Sequence, residues 1–352
     1  MRDILSDLNA WLAQDEQVAL ATVIQTWGSA PRQAGAKMAL TPGGKITGSV
    51  SGGCVEGAVF EAGTQTLEAS EPQLLQFGVA DETAWEVGLA CGGNIEVFVQ
   101  PLARDFYENV RGQLEAEEPH AIVTIVGGQT EQLGRTLLVA NGQSMFGSLG
   151  ETGLDEAAIA AAKVAMAEQR SQRTTLARES VALTDVFVEV VLPPPTLIMV
   201  GGVHIAVALT AIAKALGYRT VVVDPRRSFG SAERFPHVDE LIQVWPDEAL
   251  TQIGVTASTA IALLTHDPKL DDPALLTALP GPAFYIGALG SRKTQAKRRE
   301  RMLAAGLAEA QLERLHGPIG LNIGATTPDE IALSIMAEVV AARNNQLTTT
   351  KE

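Results

Sequence analysis

Residues 197–224, LIMVGGVHIAVALTAIAKALGYRTVVVD, decide the fold of the second half of this chain. A short apolar run (197–200) meets a glycine loop, the loop opens a helical pattern (205–216), and a β-branched run (220–224) follows. This strand–loop–helix–strand order is typical of the first βαβ unit of a Rossmann-like fold. Asp224 ends the second strand, where such folds place the acid that meets a ribose hydroxyl.

The glycine loop departs from the dinucleotide-binding pattern at one position. Gly201 and Gly202 are present, but Val203 stands where the second glycine of GxGxxG lets the backbone approach a pyrophosphate. A β-branched side chain is expected to crowd that approach, so the pattern favours the fold and argues against NAD(P) as a cofactor. His204 opens the helix, either as a ligand contact or as a hydrogen-bonded structural histidine.

Strand and helix patterns continue to alternate further along the chain, which predicts a doubly wound parallel sheet. Two strands, 260–264 and 283–286, end in polar loops at the carboxyl edge, where open α/β sheets bind ligands. The first loop offers His266. The second offers Ser291 and Arg292 at a helix start, where backbone N–H groups can bind an anion.

The helix that begins here is basic along its length. Arg292 and Lys293 are expected to face the sheet edge and bind a phosphate, whereas Lys297, Arg298 and Arg301 are expected to meet an acidic partner or solvent. A basic stripe is usually a solvated face, but it stands out in a chain of net charge −15.

Three consecutive prolines, 193–195, mark the domain boundary, because proline removes a backbone donor and fixes φ. The N-terminal domain, 1–192, is predicted to be α/β with a mixed sheet. The C-terminal domain, 196–343, is predicted to be a Rossmann-like, doubly wound parallel sheet. The polar tail, 344–352, is predicted to be disordered.

Both cysteines of the chain lie in glycine-rich loops, GSVSGGCVEG (48–57) and GLACGG (88–93). Glycine lets backbone N–H groups approach a ligand closely, so a thiol beside such a loop is a candidate ligand-facing group. Cys54 is expected at the start of a helix (54–69), whose dipole would lower the pKa of the thiol. The alternative is a small residue packed in the core. The case for Cys91 rests on its glycine neighbours alone.

The net charge of −15 argues against nucleic acid and against anionic membrane surfaces as partners. Two cysteines cannot form a disulfide framework, and no Cys/His cluster in the sequence has the spacing of a zinc site. The N-terminus lacks the basic start and cleavage site of a signal peptide, and the longest apolar stretch (197–213) is broken by glycines. The sequence therefore predicts a cytoplasmic protein.

Several of these motifs together resemble the XdhC/CoxI family. In the first domain the resemblance is carried by Gly28-Ser29-Ala30-Pro31-Arg32 with Gly35 and by the two glycine–cysteine loops. In the second domain it is carried by four segments: 200–206, 265–267, 285–292 and 317–325. The middle segment, about 107–191, carries no motif that matches.

The resemblance implies an accessory protein of xanthine dehydrogenase and related molybdenum hydroxylases, a chaperone rather than an enzyme. Such a protein binds the molybdenum cofactor, as molybdopterin or its dinucleotide form, protects its sulfurated state and delivers it to the hydroxylase apoenzyme. A cysteine desulfurase that supplies the terminal sulfur is a second implied partner. The oligomeric state, a homo-oligomer included, is left open.

The cofactor is expected in a cleft between the cysteine loops and the carboxyl edge of the Rossmann sheet. Cys54 and Cys91 are the candidates for contact with molybdenum or its sulfur, because thiolates are soft ligands. The candidate cofactor-binding residues come from both domains: Arg32, Ser51, Gly52, Gly53, Cys54, Cys91, Gly92, Gly93, Gly201, Gly202, His204, Asp224, His266, Ser291 and Arg292.

Two other functions fit parts of the sequence. An NAD(P)-dependent oxidoreductase would need groups for hydride transfer, for which His266 and Asp267 form the candidate pair. A protein-interaction scaffold would keep the fold around a degenerate nucleotide site. A spectral or thermal shift with NAD(H) would favour the dehydrogenase, and a shift only with molybdopterin would not. Retained partner binding after mutation of the loops would favour the scaffold.

Overall fold

The computed structural model describes residues 1–29, 32–78, 93–176, 183–344 and 346. The chain divides into two compact units, Met1–Pro193 and Pro194–Glu352, with the division inside the triproline run. Each unit has apolar cores of its own. The predicted disordered tail lies almost wholly outside the described residues. No helix of the described segments is long and apolar enough to cross a membrane.

Unit 1 begins with a 3-10 turn (Arg2–Ile4) and helix α1 (Leu5–Leu12). An antiparallel sheet follows, with the strands β1 (Ala19–Trp27), β2 (Lys37–Leu40), β3 (Ile46–Gly48), β4 (Gln73–Phe77) and β5 (Asn94–Pro101). The strand order is β3-β2-β1-β5-β4, and helix α2 (Glu56–Ala69) packs on β5 and β1. Because neighbouring strands run antiparallel, the ends of β1, β3 and β4 share one edge with the start of β5.

A second sheet follows helix α3 (Arg104–Glu115) and makes up the middle segment of the chain. Its strands are β6 (His120–Gly127), β7 (Thr136–Ala140), β8 (Gln143–Gly147), β9 (Gln172–Leu176) and β10 (Thr184–Val191), in the order β8-β7-β6-β10-β9. Helix α4 (Thr152–Glu168) packs on this sheet. It does so through residues at helical spacing: Leu154, Ala158, Ala162 and Ala165.

The fold class is confirmed, but the sheets of unit 1 differ from the prediction in one respect. Both are antiparallel, where a mixed sheet was expected. The physical reason lies in the connections. Short loops join β1 to β2 and β2 to β3, and a short loop permits antiparallel pairing but not the long crossover that a parallel pair needs.

Unit 2 is a doubly wound parallel sheet, as the sequence predicts. Its strands are ordered β13-β12-β11-β14-β15-β16, and each neighbouring pair is parallel. In chain order its elements are β11 (Thr196–Val200), α5 (His204–Ala215), β12 (Arg219–Val223), β13 (Glu240–Ile242), α6 (Pro246–Ile253), β14 (Thr259–Leu263), α7 (Pro268–Ala278), β15 (Tyr285–Ala288), α8 (Arg292–Ala304), α9 (Glu309–Leu312), β16 (Leu315–His316) and α10 (Pro328–Arg343).

The apolar run of β11 shows why this sheet is covered on both faces. Leu197 and Met199 face the core beneath α5 and α10, whereas Ile198 and Val200 face the core beneath α6, α7 and α8. The connections reverse direction between β11 and β14, so the loops after these two strands open at the switch point of the sheet.

Candidate functional site

The candidate residues of unit 1 gather at the edge where β1 ends and β5 begins. Trp27 of β1 pairs with Asn94 of β5. Gly93 lies directly before β5, and a Cβ atom there would stand 2.8 Å from the carbonyl oxygen of Ser29. The backbone of Gly93 therefore touches the loop that follows β1. Cys91 and Gly92 lie outside the described residues.

The first glycine–cysteine loop folds around the carboxylate of Glu56, the first residue of α2. Four backbone N–H groups of the loop donate to this carboxylate at 2.9–3.2 Å: those of Val50, Ser51, Gly52 and Gly53. The hydroxyl groups of Ser49 and Ser51 donate to it as well. Sequence reasoning did not nominate Glu56, although an acid at a helix start just after a run of loop donors is a capping signal.

These hydrogen bonds stabilise the ionised form of the Glu56 carboxyl against the effect of burial. Burial alone would raise the pKa of this carboxyl, but the Ser49 and Ser51 hydroxyls and the backbone N–H groups hold the pKa at about 2. The side chain is therefore a carboxylate at any physiological pH. The anion-binding donors of this loop, predicted to meet a cofactor, are satisfied by the chain itself.

Cys54 is a free, half-buried thiol, packed against the apolar core of the first sheet. Its N–H donates to the Ser51 hydroxyl at 2.9 Å, and α2 begins two residues later. The donors that a helix start was expected to offer a thiolate are thus taken by Ser51 and Glu56. Beside Cys54, Gly52 and Gly53 have φ of +80° and +122° and open space at their Cα atoms, so this side of the loop is accessible.

Arg32 lies beside the same loop. Its Nε donates to the carbonyl oxygen of Ser49 at 3.2 Å, and its Nη2 is 3.5 Å from a carboxylate oxygen of Asp3. The side chain is 39% exposed, so its guanidinium supports the loop from one side and faces solvent on the other. Unit 1 therefore brings together Arg32, Ser51, Gly52, Gly53 and Cys54, with Gly93 at the same edge of the sheet.

In unit 2, the glycine loop after β11 is tied to Asp224. The N–H of Gly202 donates to Asp224 Oδ2 at 2.8 Å, and Arg226 pairs with the same carboxylate through Nε at 2.9 Å and Nη2 at 2.7 Å. Asp224 is fully buried. Burial would raise its pKa, but the hydrogen bonds from Arg226 and Gly202 lower it. The structure places the acid where the sequence predicts it, already bound to other groups of the chain.

Val203 and His204 follow the loop. Val203 is the N-cap of α5 and packs partly against the core shared by α5 and α10. His204, the first residue of α5, is exposed. His266 is also exposed, whereas the side chain of Asp267 caps α7 by accepting a hydrogen bond from Lys269 N–H at 3.0 Å. Asp267 therefore has a structural role in its own helix.

Helix α8 begins at Arg292, directly after the loop that follows β15. Ser291 caps the helix by accepting from Thr294 N–H at 3.2 Å, and Arg292 and Lys293 are exposed in the first turn. Arg292, Lys293 and Lys297 form no ion pair within the described part of the chain.

The prediction that Arg298 meets a partner or solvent is wrong. Its side chain is 1% exposed, and Nη2 lies 2.7 Å from Asp271 Oδ2, itself 1% exposed. Arg298 shares the inner face of α8 with Met302, four residues later, so the helical period buries it. Arg301 pairs with Asp272 at 2.7 Å. The inner part of this basic stripe is thus an internal ion-pair system.

The glycine loop 317–325 is hydrogen-bonded to a buried acid, Glu338. Glu338 of α10 accepts hydrogen bonds from Gly320 N–H and from the Tyr285 hydroxyl, each at 2.6 Å. The ring of His316 stacks on Tyr285 with centroids 4.8 Å apart. Burial, together with the charge of Glu338, raises the pKa of Tyr285 well above its usual value. This network fixes the loop at the carboxyl edge of the sheet.

No group of three or more His, Cys, Asp or Glu side chains among the described residues is placed to hold a metal ion. Among the described residues, unit 1 offers a glycine loop and the Cys54 thiol, which could contact a soft atom. Unit 2 offers glycine loops and the basic groups at the start of α8, which could bind an anion.

Comparison with known proteins defines the class. The model of the XdhC Rossmann domain matches residues 197–339, and the model of the XdhC and CoxI family matches residues 11–78 and 113–177. The chain belongs to the XdhC and CoxI family. The second match also reaches into the middle segment, where the sequence shows no recognisable motif.

Individual relatives span nearly the whole chain. The chain is 29% identical over 341 residues to a probable xanthine dehydrogenase subunit of Bacillus subtilis (strain 168), covering 96% of each protein. It is 25% identical over 343 residues to the molybdenum cofactor insertion chaperone PaoD of Escherichia coli (strain K12), covering 95% of this chain and 86% of PaoD.

A solved structure supports the fold. A crystal structure described as a xanthine dehydrogenase from Bacillus halodurans superposes with a TM-score of 0.77 at 24% identity, covering 99% of this chain and 97% of that one. At this identity the likeness shows that the two chains share a fold.

Proposed function

We propose that this protein is a molybdenum-cofactor chaperone, which holds the cofactor for a xanthine dehydrogenase-type molybdenum hydroxylase and passes it to the apoenzyme. The observation that carries the proposal is the end-to-end similarity to a molybdenum cofactor insertion chaperone and to a probable xanthine dehydrogenase subunit. The cofactor is cargo in this function, so a site without a resident metal cage is compatible with it.

The chemistry of the candidate residues supports the proposal. Molybdopterin presents a phosphate, a flat polar ring system and soft sulfur. In unit 1, the Cys54 thiol suits molybdenum or its terminal sulfur, and the open side of Gly52 and Gly53 leaves room for a flat ligand. In unit 2, Arg292 and Lys293 at the start of α8 suit a phosphate.

The first turn of α8 supports a bound anion by its composition. It carries two cations and no acidic residue, although cations at a helix N-terminus oppose the helix dipole. In a chain of net charge −15, acids to balance them are plentiful elsewhere. A ligand phosphate at this place would remove the conflict.

The structure of unit 2 offers little support for a dehydrogenase, because its two candidate acids already have structural partners. The Asp267 side chain caps α7, and the Asp224 carboxylate is bound to Gly202 and Arg226. The scaffold alternative remains an outcome of the test below.

The finer steps of the function are proposals of the same kind. Cys54 contacts the terminal sulfur of the cofactor and keeps it from solvent. A cysteine desulfurase and the hydroxylase apoenzyme are the two partners, and the exchange takes place in the cytoplasm. If the protein acts as a homo-oligomer, the pterin content per chain will show how many sites are filled.

The test is to purify the protein from a molybdenum-replete host and to measure its bound pterin by oxidation to a fluorescent product. Incubation with apo-xanthine dehydrogenase should then restore activity in proportion to the pterin carried. Cys54→Ser should retain less pterin while unfolding as the wild type does, and the parallel Cys91→Ser variant shows whether one cysteine or both contribute. A protein that binds the apoenzyme but neither carries nor transfers pterin would be a scaffold.

A further inference from the structure

In unit 2, the place where a Rossmann fold binds a nucleotide lies at the loop after β11 and the end of β12. Groups of the chain itself fill this place. A bound dinucleotide requires three things here: N–H groups of the glycine loop for the pyrophosphate, the acid after the second strand for the ribose, and space over the loop. In unit 2 the Gly202 N–H, the acid Asp224 and the space over Gly202 are already in use, and four residues account for this: Asp224, Arg226, Phe229 and Arg234.

The acid is the first of the three. The Asp224 carboxylate accepts from Gly202 N–H at 2.8 Å, from Arg226 N–H and Nε at 2.9 Å, and from Arg226 Nη2 at 2.7 Å. Its two oxygens thus receive four hydrogen bonds from the chain, and the side chain is fully buried. A ribose hydroxyl would have to displace Arg226, and a pyrophosphate would have to take the Gly202 N–H from Asp224.

The space over the loop is closed by the backbone near Phe229. A Cβ atom at Gly202 would lie 2.4 Å from the Phe229 carbonyl oxygen. Arg234 stabilises this close approach of the two backbone segments. Its Nη1 donates to the Gly202 carbonyl at 2.7 Å and to the Phe229 carbonyl at 3.1 Å. The guanidinium of Arg226 stacks on the Phe229 ring, 4.1 Å from its centroid.

We propose that Asp224, Arg226, Phe229 and Arg234 form a built-in plug that closes the nucleotide subsite. The ligand of unit 2 is therefore a pterin with a single phosphate, not the dinucleotide form. The identity of the ligand as a pterin rests on the proposed function; the closure of the subsite does not. The plug, rather than the Val203 side chain, determines this specificity, because Val203 packs partly against the core of α5 and α10.

The test separates the plug from the effect of Val203. NAD⁺ and cytidine diphosphate are titrated by calorimetry into four full-length proteins: the wild type, Val203→Gly, the double variant Arg226→Ala with Arg234→Ala, and the control Arg227→Ala at an exposed neighbour. The wild type, Val203→Gly and Arg227→Ala should show no saturable binding in the millimolar range. The double variant should show saturable binding, at least about tenfold tighter than the weakest affinity that the titration would detect in the other three proteins.

Three results would overturn the proposal: saturable binding of either nucleotide by the wild type, saturable binding by Val203→Gly, or no saturable binding by a folded double variant. Thermal unfolding reports whether the double variant is folded. If it is not, Arg234→Ala alone, which keeps the Asp224–Arg226 pair, takes its place under the same criteria. These titrations contain no pterin, so their failure is distinct from failure of the pterin-transfer assay.

Discussion

Replacing Glu56 by glutamine tests whether this carboxylate holds the cysteine loop in place. Glutamine keeps the shape, but its amide nitrogen would face N–H donors that now reach a carboxylate oxygen. One of these donors is Gly53 N–H, 2.9 Å from Oε2 and adjacent to Cys54. We expect Glu56→Gln to loosen the loop and expose the Cys54 thiol while the sheets of unit 1 remain folded.

The pKa of Glu56 gives the size of the effect. Hydrogen bonds of the loop outweigh burial and hold the pKa at about 2, against a usual 4.5. At about 1.36 kcal/mol per pKa unit this corresponds to about 3.4 kcal/mol, which solvent screening at a half-buried side chain reduces to about 1–2 kcal/mol. Because the folded pKa is lowered, this stabilisation is complete above about pH 4.5 and is lost as the pH falls toward 2.

The assay is the rate of Cys54 alkylation near neutral pH, followed by peptide mass spectrometry so that Cys91 is scored separately. A loss of about 1–2 kcal/mol should raise the open population of the loop, and hence the rate, about 5–30-fold. Glu330→Gln is the matched control. Backbone N–H groups of Thr326 and Thr327 also lower the pKa of Glu330 to about 2, but in unit 2. An unchanged rate in Glu56→Gln would refute the reasoning, as would an equal increase in the control.

Buried and exposed charges give three further predictions. Arg298→Ala should destabilise unit 2 by about 3–5 kcal/mol, because it leaves the buried Asp271 carboxylate without its ion pair. The exposed neighbour variant Lys297→Ala should change the free energy of unfolding by no more than about 0.5 kcal/mol, and equal effects in urea unfolding would contradict the buried pair. Burial lowers the pKa of His120 below its usual 6.5, so the unfolded chain takes up the proton first and the stability of unit 1 should fall as the pH drops below 6.5. Thermal unfolding of His120→Gln should lack this slope. Arg292→Ala should weaken pterin binding by about 1.5–3 kcal/mol in fluorescence titrations; an equal loss in Lys297→Ala would mean that more of α8 lines the site.

The fold of unit 2 could be predicted because its signals are local. Residues 197–200 form a continuous apolar run between two cores, and Thr327 with Pro328 begins α10 as a capping pattern requires. The pairing within unit 1 could not be predicted in the same way. Strand β1 lies between β2 and the distant β5, and pairing between strands far apart in sequence leaves no local signature.

The candidate site was predicted less completely, because the partner of a charge depends on tertiary structure. In the sequence Arg298 is one of several basic residues on a helix, and only the position of Asp271 on α7 explains its burial. Glu56 stands in the quoted loop motif, yet its role became visible only with the backbone donors arranged around it. Arg234 lies ten residues beyond Asp224 and has no motif that would connect it to Gly202.

The glycine loop before α2 in unit 1 and the glycine loop after β11 in unit 2 each close on a carboxylate of the chain itself, Glu56 and Asp224 respectively. A ligand anion that used these N–H donors would first displace a carboxylate that already satisfies them, so its net gain in free energy would be small. A protein that carries a cofactor must also release it. Release is favoured when the backbone N–H groups of the loop can bind a carboxylate of the chain again once the ligand has left. Under the proposed function, the affinity for the cofactor would come from groups without such partners in the described part of the chain, such as the Cys54 thiol of unit 1 and the Arg292 guanidinium of unit 2. Substitutions at these two residues are for this reason the most direct probes of cofactor binding.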